Sequence, residues 1–155
     1  MYSEKSLTVS GKHLICDIKN IQNMDLLNDV DKIKELFDII CEKYDFNVLQ
    51  KMQHVFEPQG CTIIYLLSES HLSIHTFPER KYAAVDLYTC RVYDDNSVYK
   101  EIYDEFISNF DATPENIGDT STTFTTSSPK TEGCVHGATV LRTSTSGSNI
   151  VDRSF

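Results

Sequence analysis

Apolar residues recur along the chain in two rhythms, one of period two and one of three to four, and these predict its elements. Lys12 to Ile18 reads as a strand. Leu26, Val30, Ile33, Phe37 and Ile40 then fall three or four apart, with Asp and Lys on the other side, so the spacing predicts a helix over 26–44. Val48 to Phe56 reads as a strand, followed by a turn at Pro58-Gln59-Gly60. Cys61 to Leu67 is apolar at nearly every position, the pattern of a central strand covered on both faces. Leu72 to Phe77 is a further strand, closed by Pro78. Tyr82 to Arg91 alternates: Ala83, Val85 and Leu87 point one way, and Tyr82, Ala84, Asp86, Tyr88 and Cys90 the other. Val98, Ile102, Phe106 and Phe110 mark the stripe of a second helix, over 98–110.

The order β-α-β-β-β-β-α predicts an α+β fold, a two-layer sandwich with an antiparallel sheet and helices on one face. Nothing in the sequence covers the other face. A second copy would, which predicts a homodimer with a four-layer αββα arrangement.

Composition sets the limits of this domain. Of the 43 residues from Thr113 to Phe155, 17 are Ser or Thr. The expected division is therefore a folded domain over 8–111 and a Ser/Thr-rich tail over 112–155, mobile and holding one weak strand at most. Lys and Arg number 14 against 23 Asp and Glu, a net charge of −9. That argues against nucleic acid and anionic membranes as partners and suits a cationic ligand. No apolar run is long enough to span a membrane, and Met1-Tyr2-Ser3-Glu4-Lys5 does not begin a secretory signal. Five cysteines, at 16, 41, 61, 90 and 134, are an odd number with no CxxC, which fits free thiols in a reducing cytoplasm.

The chemistry concentrates in residues 67–79, where Ser68, Glu69, Ser70, His71, Ser73, His75 and Glu79 crowd beside a core strand. Polar groups so placed are costly unless paired or functional. His71 and His75 share parity and could form one solvated stripe. A metal site of these two histidines and a carboxylate is a weaker alternative, and no metal is expected. A Ser-His hydrolase lacks both the G-x-S-x-G turn and a third member to orient the histidine. No role follows for His13 or His136.

Glu69-Ser70-His71-Leu72-Ser73-Ile74-His75-Thr76-Phe77-Pro78-Glu79 resembles the self-cleavage segment of prokaryotic-type S-adenosylmethionine decarboxylase proenzymes. His54-Val55-Phe56-Glu57-Pro58-Gln59-Gly60 is similar to that family's approach to the segment, and Asp86-Leu87-Tyr88-Thr89-Cys90 to its cysteine-bearing strand. The similarity covers about residues 11–110. It implies cleavage between Glu69 and Ser70, giving a β chain of residues 1–69 and an α chain of residues 70–155 that starts with a pyruvoyl group made from Ser70. It also implies that His75 is the acid/base of processing and Cys90 the proton donor in decarboxylation. Phe56 would stack on the substrate adenine across a dimer interface, and Glu79 would be a polar contact to substrate. Where the family carries a serine that assists processing, eight residues before the cleavage serine, this chain has Thr62. Its hydroxyl can still hydrogen-bond, but its methyl stiffens χ1. The implied activity is decarboxylation of S-adenosylmethionine for polyamine synthesis. The same pyruvoyl chemistry on ornithine or arginine, and an uncut non-catalytic relative, stay open as alternatives.

Elementary chemistry asks for these residue types. Decarboxylating an α-amino acid leaves a carbanion that needs an electron sink, and no side chain offers an electrophilic carbonyl. Serine is a suitable precursor, because loss of its β-oxygen gives dehydroalanine, which hydrolyses to pyruvoyl. Histidine titrates near neutral pH, and a thiol still holds a proton at pH 7 to return to Cα. One difficulty follows from parity: five apart on a strand, Ser70 and His75 lie on opposite faces. They can meet only if the chain bends near 69–71 or is cut, so a strained turn or bulge is expected at Glu69-Ser70.

Overall fold

The computed structural model describes residues 12–68, 70–91, 93 and 96–112, together with the backbone of 121–127 and 138–142. Strand β1 (Lys12–Ile18) leads through helices α1 (Met24–Leu27) and α2 (Val30–Lys43) into β2 (Val48–Val55). Then come β3 (Cys61–Leu67), β4 (Ser70–Phe77), a single 3-10 turn at Pro78–Arg80, β5 (Tyr82–Thr89) and helix α3 (Ser97–Asn109). Two further strands, β6 (Ser121–Ser127) and β7 (Ala138–Arg142), follow. The sheet order is β2-β3-β4-β5-β1-β6-β7, antiparallel at every pairing.

The antiparallel sheet with helices on one face is as the periodicities predict. Leu14, Cys16, Ile18, Ile63, Tyr65, Leu72, Ile74, Ala83, Val85 and Leu87 are buried in one core with Leu27, Ile33, Phe37, Ile40, Ile102 and Phe106 of the helices. Phe37 stands edge-on to Tyr65, with ring centroids 5.2 Å apart, and meets Phe106 at 6.0 Å. Edge-to-face pairs of this kind add about 1 kcal/mol beyond area burial. Cys16, Cys41 and Cys61 are buried free thiols. Burial, helped by the charges of Asp17 and Asp86, drives the Cys16 thiol far above its usual range. Burial also pushes Cys41 up to about 11.

Three expectations need correction. The helix expected over 26–44 is broken at Asn28-Asp29. Asp29 caps α2, its Oδ1 accepting from the backbone N–H groups of Asp31 (3.0 Å) and Lys32 (3.1 Å). The hydrophobic stripe runs through this break because both helices face the same core; the cap, not the stripe, sets the boundary. Second, Cys61–Leu67 is not covered on both faces within the chain: Leu66 is 45% exposed, and Met52 (51%) and Ile15 (37%), elsewhere on the same face of the sheet, are exposed too. Third, the region after residue 112 supplies two strands, with β6 pairing to β1 and β7 to β6. Threonine is β-branched and suits an extended backbone, so a composition that suggests an irregular tail also permits strands. The rest of the tail, with Cys134 and His136, lies outside the described residues.

Candidate active site

Cross-strand register decides which residues share the open face of the sheet. One row runs His13, Tyr88, His71, Leu66, Gln50 across β1, β5, β4, β3 and β2. The next runs Ile15, Asp86, Ser73, Ile64, Met52, and the third Asp17, Ala84, His75, Thr62, His54. Apolar residues thus fill the middle on the β2–β3 side, while polar groups gather at the two ends of the strands.

The end carrying the third row holds four of the residues singled out by sequence. Thr62 Oγ1 lies 2.8 Å from His75 Nδ1, so the threonine hydroxyl hydrogen-bonds the histidine. The bond occupies Nδ1 and fixes the orientation of the ring. Both residues line a cavity of about 230 Å³ with Phe56, Gln59, Phe77 and Glu79. Phe56 is 47% exposed, its ring met edge-on by His54 at 4.7 Å. Gly60 lets the preceding loop turn tightly there. It sits at φ +90, and a Cβ would stand 2.8 Å from the Thr76 carbonyl oxygen. The Asn28 side chain accepts from the Gly60 N–H at 3.1 Å, so the break between α1 and α2 anchors this loop.

The other end holds Ser70 and Cys90. β3 ends at Leu67, Ser68 turns, and β4 begins at Ser70, paired with Leu67 and Thr89. Glu69 lies outside the described residues. The β3–β4 ladder keeps one register from Thr62↔His75 to Leu67↔Ser70, and the strained turn or bulge expected at Glu69-Ser70 falls on Glu69, outside the described residues. Ser70 is the half-buried first residue after the chain reversal. Cys90 is exposed and directly follows Thr89, the cross-strand partner of Ser70. The Cys90 thiol donates to the Tyr88 hydroxyl at 3.7 Å. That sulfur contact and burial hold the Tyr88 phenol above its ordinary value.

Beside them stands a group that sequence reasoning missed. His13 Nε2 is 2.7 Å and His71 Nε2 3.0 Å from the same oxygen, Asp86 Oδ1. Tyr88 meets the His13 ring edge-on at 5.6 Å and stacks on His71 at 6.1 Å. The alternation of residues 82–91 placed Asp86 and Tyr88 on the open face, but strand pairing was needed to bring β1 beside β5. His71 and His75 share that face as parity predicted, yet each has its own partner and they form no common cluster.

Ser70 and His75 do not meet within one chain. They lie on opposite faces and are separated by five residues of regular strand, about 17 Å at ~3.3 Å per residue. Among the described residues no helix is long and apolar enough to cross a membrane.

Comparison with known proteins shows the family and the fold. Residues 12–113 match the model of a family described as S-adenosylmethionine decarboxylase. An S-adenosylmethionine decarboxylase proenzyme of Brevibacillus brevis is 48% identical over 80 residues, 52% of this chain and 59% of that protein. One from Bacillus velezensis is 38% identical over 107 residues, 69% of this chain and 82% of its own length. The matches span 59%, 64% and 63% of the first three curated relatives, a little under two thirds of each. The crystal structure of the adenosylmethionine decarboxylase from Aquifex aeolicus superposes with a TM-score of 0.63 at 26% identity, covering 76% of this chain and 89% of that one.

Proposed function

Since the chain belongs to the S-adenosylmethionine decarboxylase family, we propose that it is a self-processing decarboxylase of S-adenosylmethionine that works as a homodimer. The observation that carries this reading is the division of groups between the two ends of the strands: Ser70, at the head of β4, and exposed Cys90 at one end, Thr62, His75, Phe56 and Glu79 at the other, with exposed apolar residues on the open face between.

Neither end suffices alone. A two-fold axis lying between two such faces and running across the strands would bring the Ser70 end of each protomer onto the His75 end of its partner. It would bury Ile15, Leu66 and Met52 in the same step and complete the four-layer arrangement. Two composite sites result, each built from both copies.

Within such a site the Ser70 hydroxyl attacks the carbonyl carbon of residue 69, forming an ester as the amide C–N bond breaks. The partner's His75, held through Nδ1 by Thr62, moves the protons. Elimination then releases residue 69 as a carboxylate, and hydrolysis of the resulting α chain end releases ammonia. The surroundings fit a pyruvoyl group formed there: the precursor serine heads a strand, half-buried, with a thiol on the residue beyond its cross-strand partner. Pyruvoyl supplies the electron sink for the carbanion left by loss of carbon dioxide. Phe56 stacks on the adenine and attracts the sulfonium, Glu79 binds a polar group of the substrate, and Cys90 returns a proton to Cα.

Intact mass spectrometry of freshly purified protein tests the proposal, with carbon dioxide release from carboxyl-labelled S-adenosylmethionine measured alongside. Two chains are expected, meeting after residue 69, the second lighter by the loss of ammonia and reactive toward a hydrazine. A single inert chain would refute it.

A further inference from the structure

His13, His71 and Asp86 gather one step from residue 70, and the mechanism above gives none of them a role. We infer that Asp86, held between the two imidazoles, is a positioning residue: it fixes His71, and through it residue 70, in the reacting geometry once the chain has been cut. This rests on the reading that cleavage occurs between Glu69 and Ser70.

The need for such a device follows from the cleavage itself. While the chain is whole, the turn after β3 holds residue 70 covalently. Afterwards residue 70 is a chain end, and chain ends fray unless tied down. The ladder to Leu67 and Thr89 is one tie. His71 supplies another, and it is built from side chains. Its Nε2 is 3.0 Å from Asp86 Oδ1, and its ring stacks on Tyr88 with the planes 24° apart.

Asp86 is itself restrained. His13 reaches the same oxygen at 2.7 Å from β1, which lies beyond β5 from β4. The carboxylate therefore ties the new chain end, across one intervening strand, to a strand that belongs to the other cleavage product. Hydrogen bonds to a charged oxygen are shorter and stronger than neutral ones. Reacting groups displaced by about 1 Å can lose about a hundredfold in rate, so a tie at the neighbouring residue is enough to matter. The rival reading is a cation site, because the three ligand atoms lie within 4.8 Å of one another.

The test compares wild type with Asp86→Asn, which keeps the shape but weakens both bonds, and with His13→Gln and His13→Ala, which act from β1. Activity is expressed per cleaved chain, counted by intact mass. All variants should cut after residue 69. In Asp86→Asn, kcat should fall at least tenfold with KM changed less than threefold. Amide exchange at residues 71–73 should quicken while that of residues 30–43 and the thermal midpoint stay at wild-type values. His13→Gln, which keeps a donor, should lose less than His13→Ala. Wild-type kcat and exchange in Asp86→Asn would overturn the inference, as would variants that stay whole. So would a wild-type activity lost to EDTA and restored by Zn²⁺, which would make the cluster a metal site. A wild-type chain that stays whole would bring down this inference together with the reading beneath it; normal cleavage with an unaffected Asp86→Asn brings down the inference alone.

Discussion

Phe56 is nearly half exposed, although an aromatic ring in this place would ordinarily be core. Under the proposed stacking on the adenine, Phe56→Ala should raise KM for S-adenosylmethionine about tenfold while cleavage proceeds. Base–aromatic stacking is worth ~1–3 kcal/mol, which brackets that factor. Steady-state kinetics on the cleaved variant measure it, and an unchanged KM would return Phe56 to a packing role. Cys90→Ala separates the two reactions at the other end. It should cut normally but decarboxylate about a hundredfold more slowly, within the range for loss of a general acid. Full activity would exclude the thiol as donor. Thr62, His75, Cys90 and Ser70 were all legible as residues, because the segment and its spacing are distinctive. Asp86 and His13 were not, since their contact joins strands 73 residues apart in sequence.

At the scale of elements, caps and buried thiols decide what periodicity leaves open. Asp29→Ala removes the acceptor for two N–H groups of α2 and should cost about 1 kcal/mol, lowering the thermal midpoint by several degrees. Calorimetry checks this; an unaltered midpoint would show that packing alone fixes the start of α2. The thiols of Cys16 and Cys41 titrate higher in the fold than in the unfolded chain, chiefly through burial. The native state therefore binds more protons in alkali, and stability falls as pH rises. It should be fully present below about pH 8.5, the ordinary thiol value, and decline as pH rises toward about 11, the folded value of Cys41. Urea midpoints between pH 8 and 10.5 should fall along this curve, more shallowly in Cys41→Ala. A flat profile would contradict the assignment.

For the whole molecule, the proposed composite sites predict complementation between chains. Ser70→Ala and His75→Ala should each stay uncut alone. Produced together, they should yield heterodimers in which one composite site is whole, so that chains bearing His75→Ala are cut. Mass spectrometry distinguishes the two chains, and absence of cutting in the mixture would mean that each site forms within one chain. The parity of β4 already posed this problem, because residues five apart on a strand face opposite ways.

By itself the sequence determined the alternating strands, the two amphipathic stripes, one open sheet face and the segment proposed to be cut, because side-chain periodicity and covalent chemistry are local properties. Only the tertiary structure decided that α1 and α2 part at Asn28-Asp29, that β6 and β7 extend the sheet, and that Asp86 lies between two histidines. It alone sent the polar groups to opposite ends of the open face. Those outcomes depend on strand order and register, which bring together residues that no local pattern links.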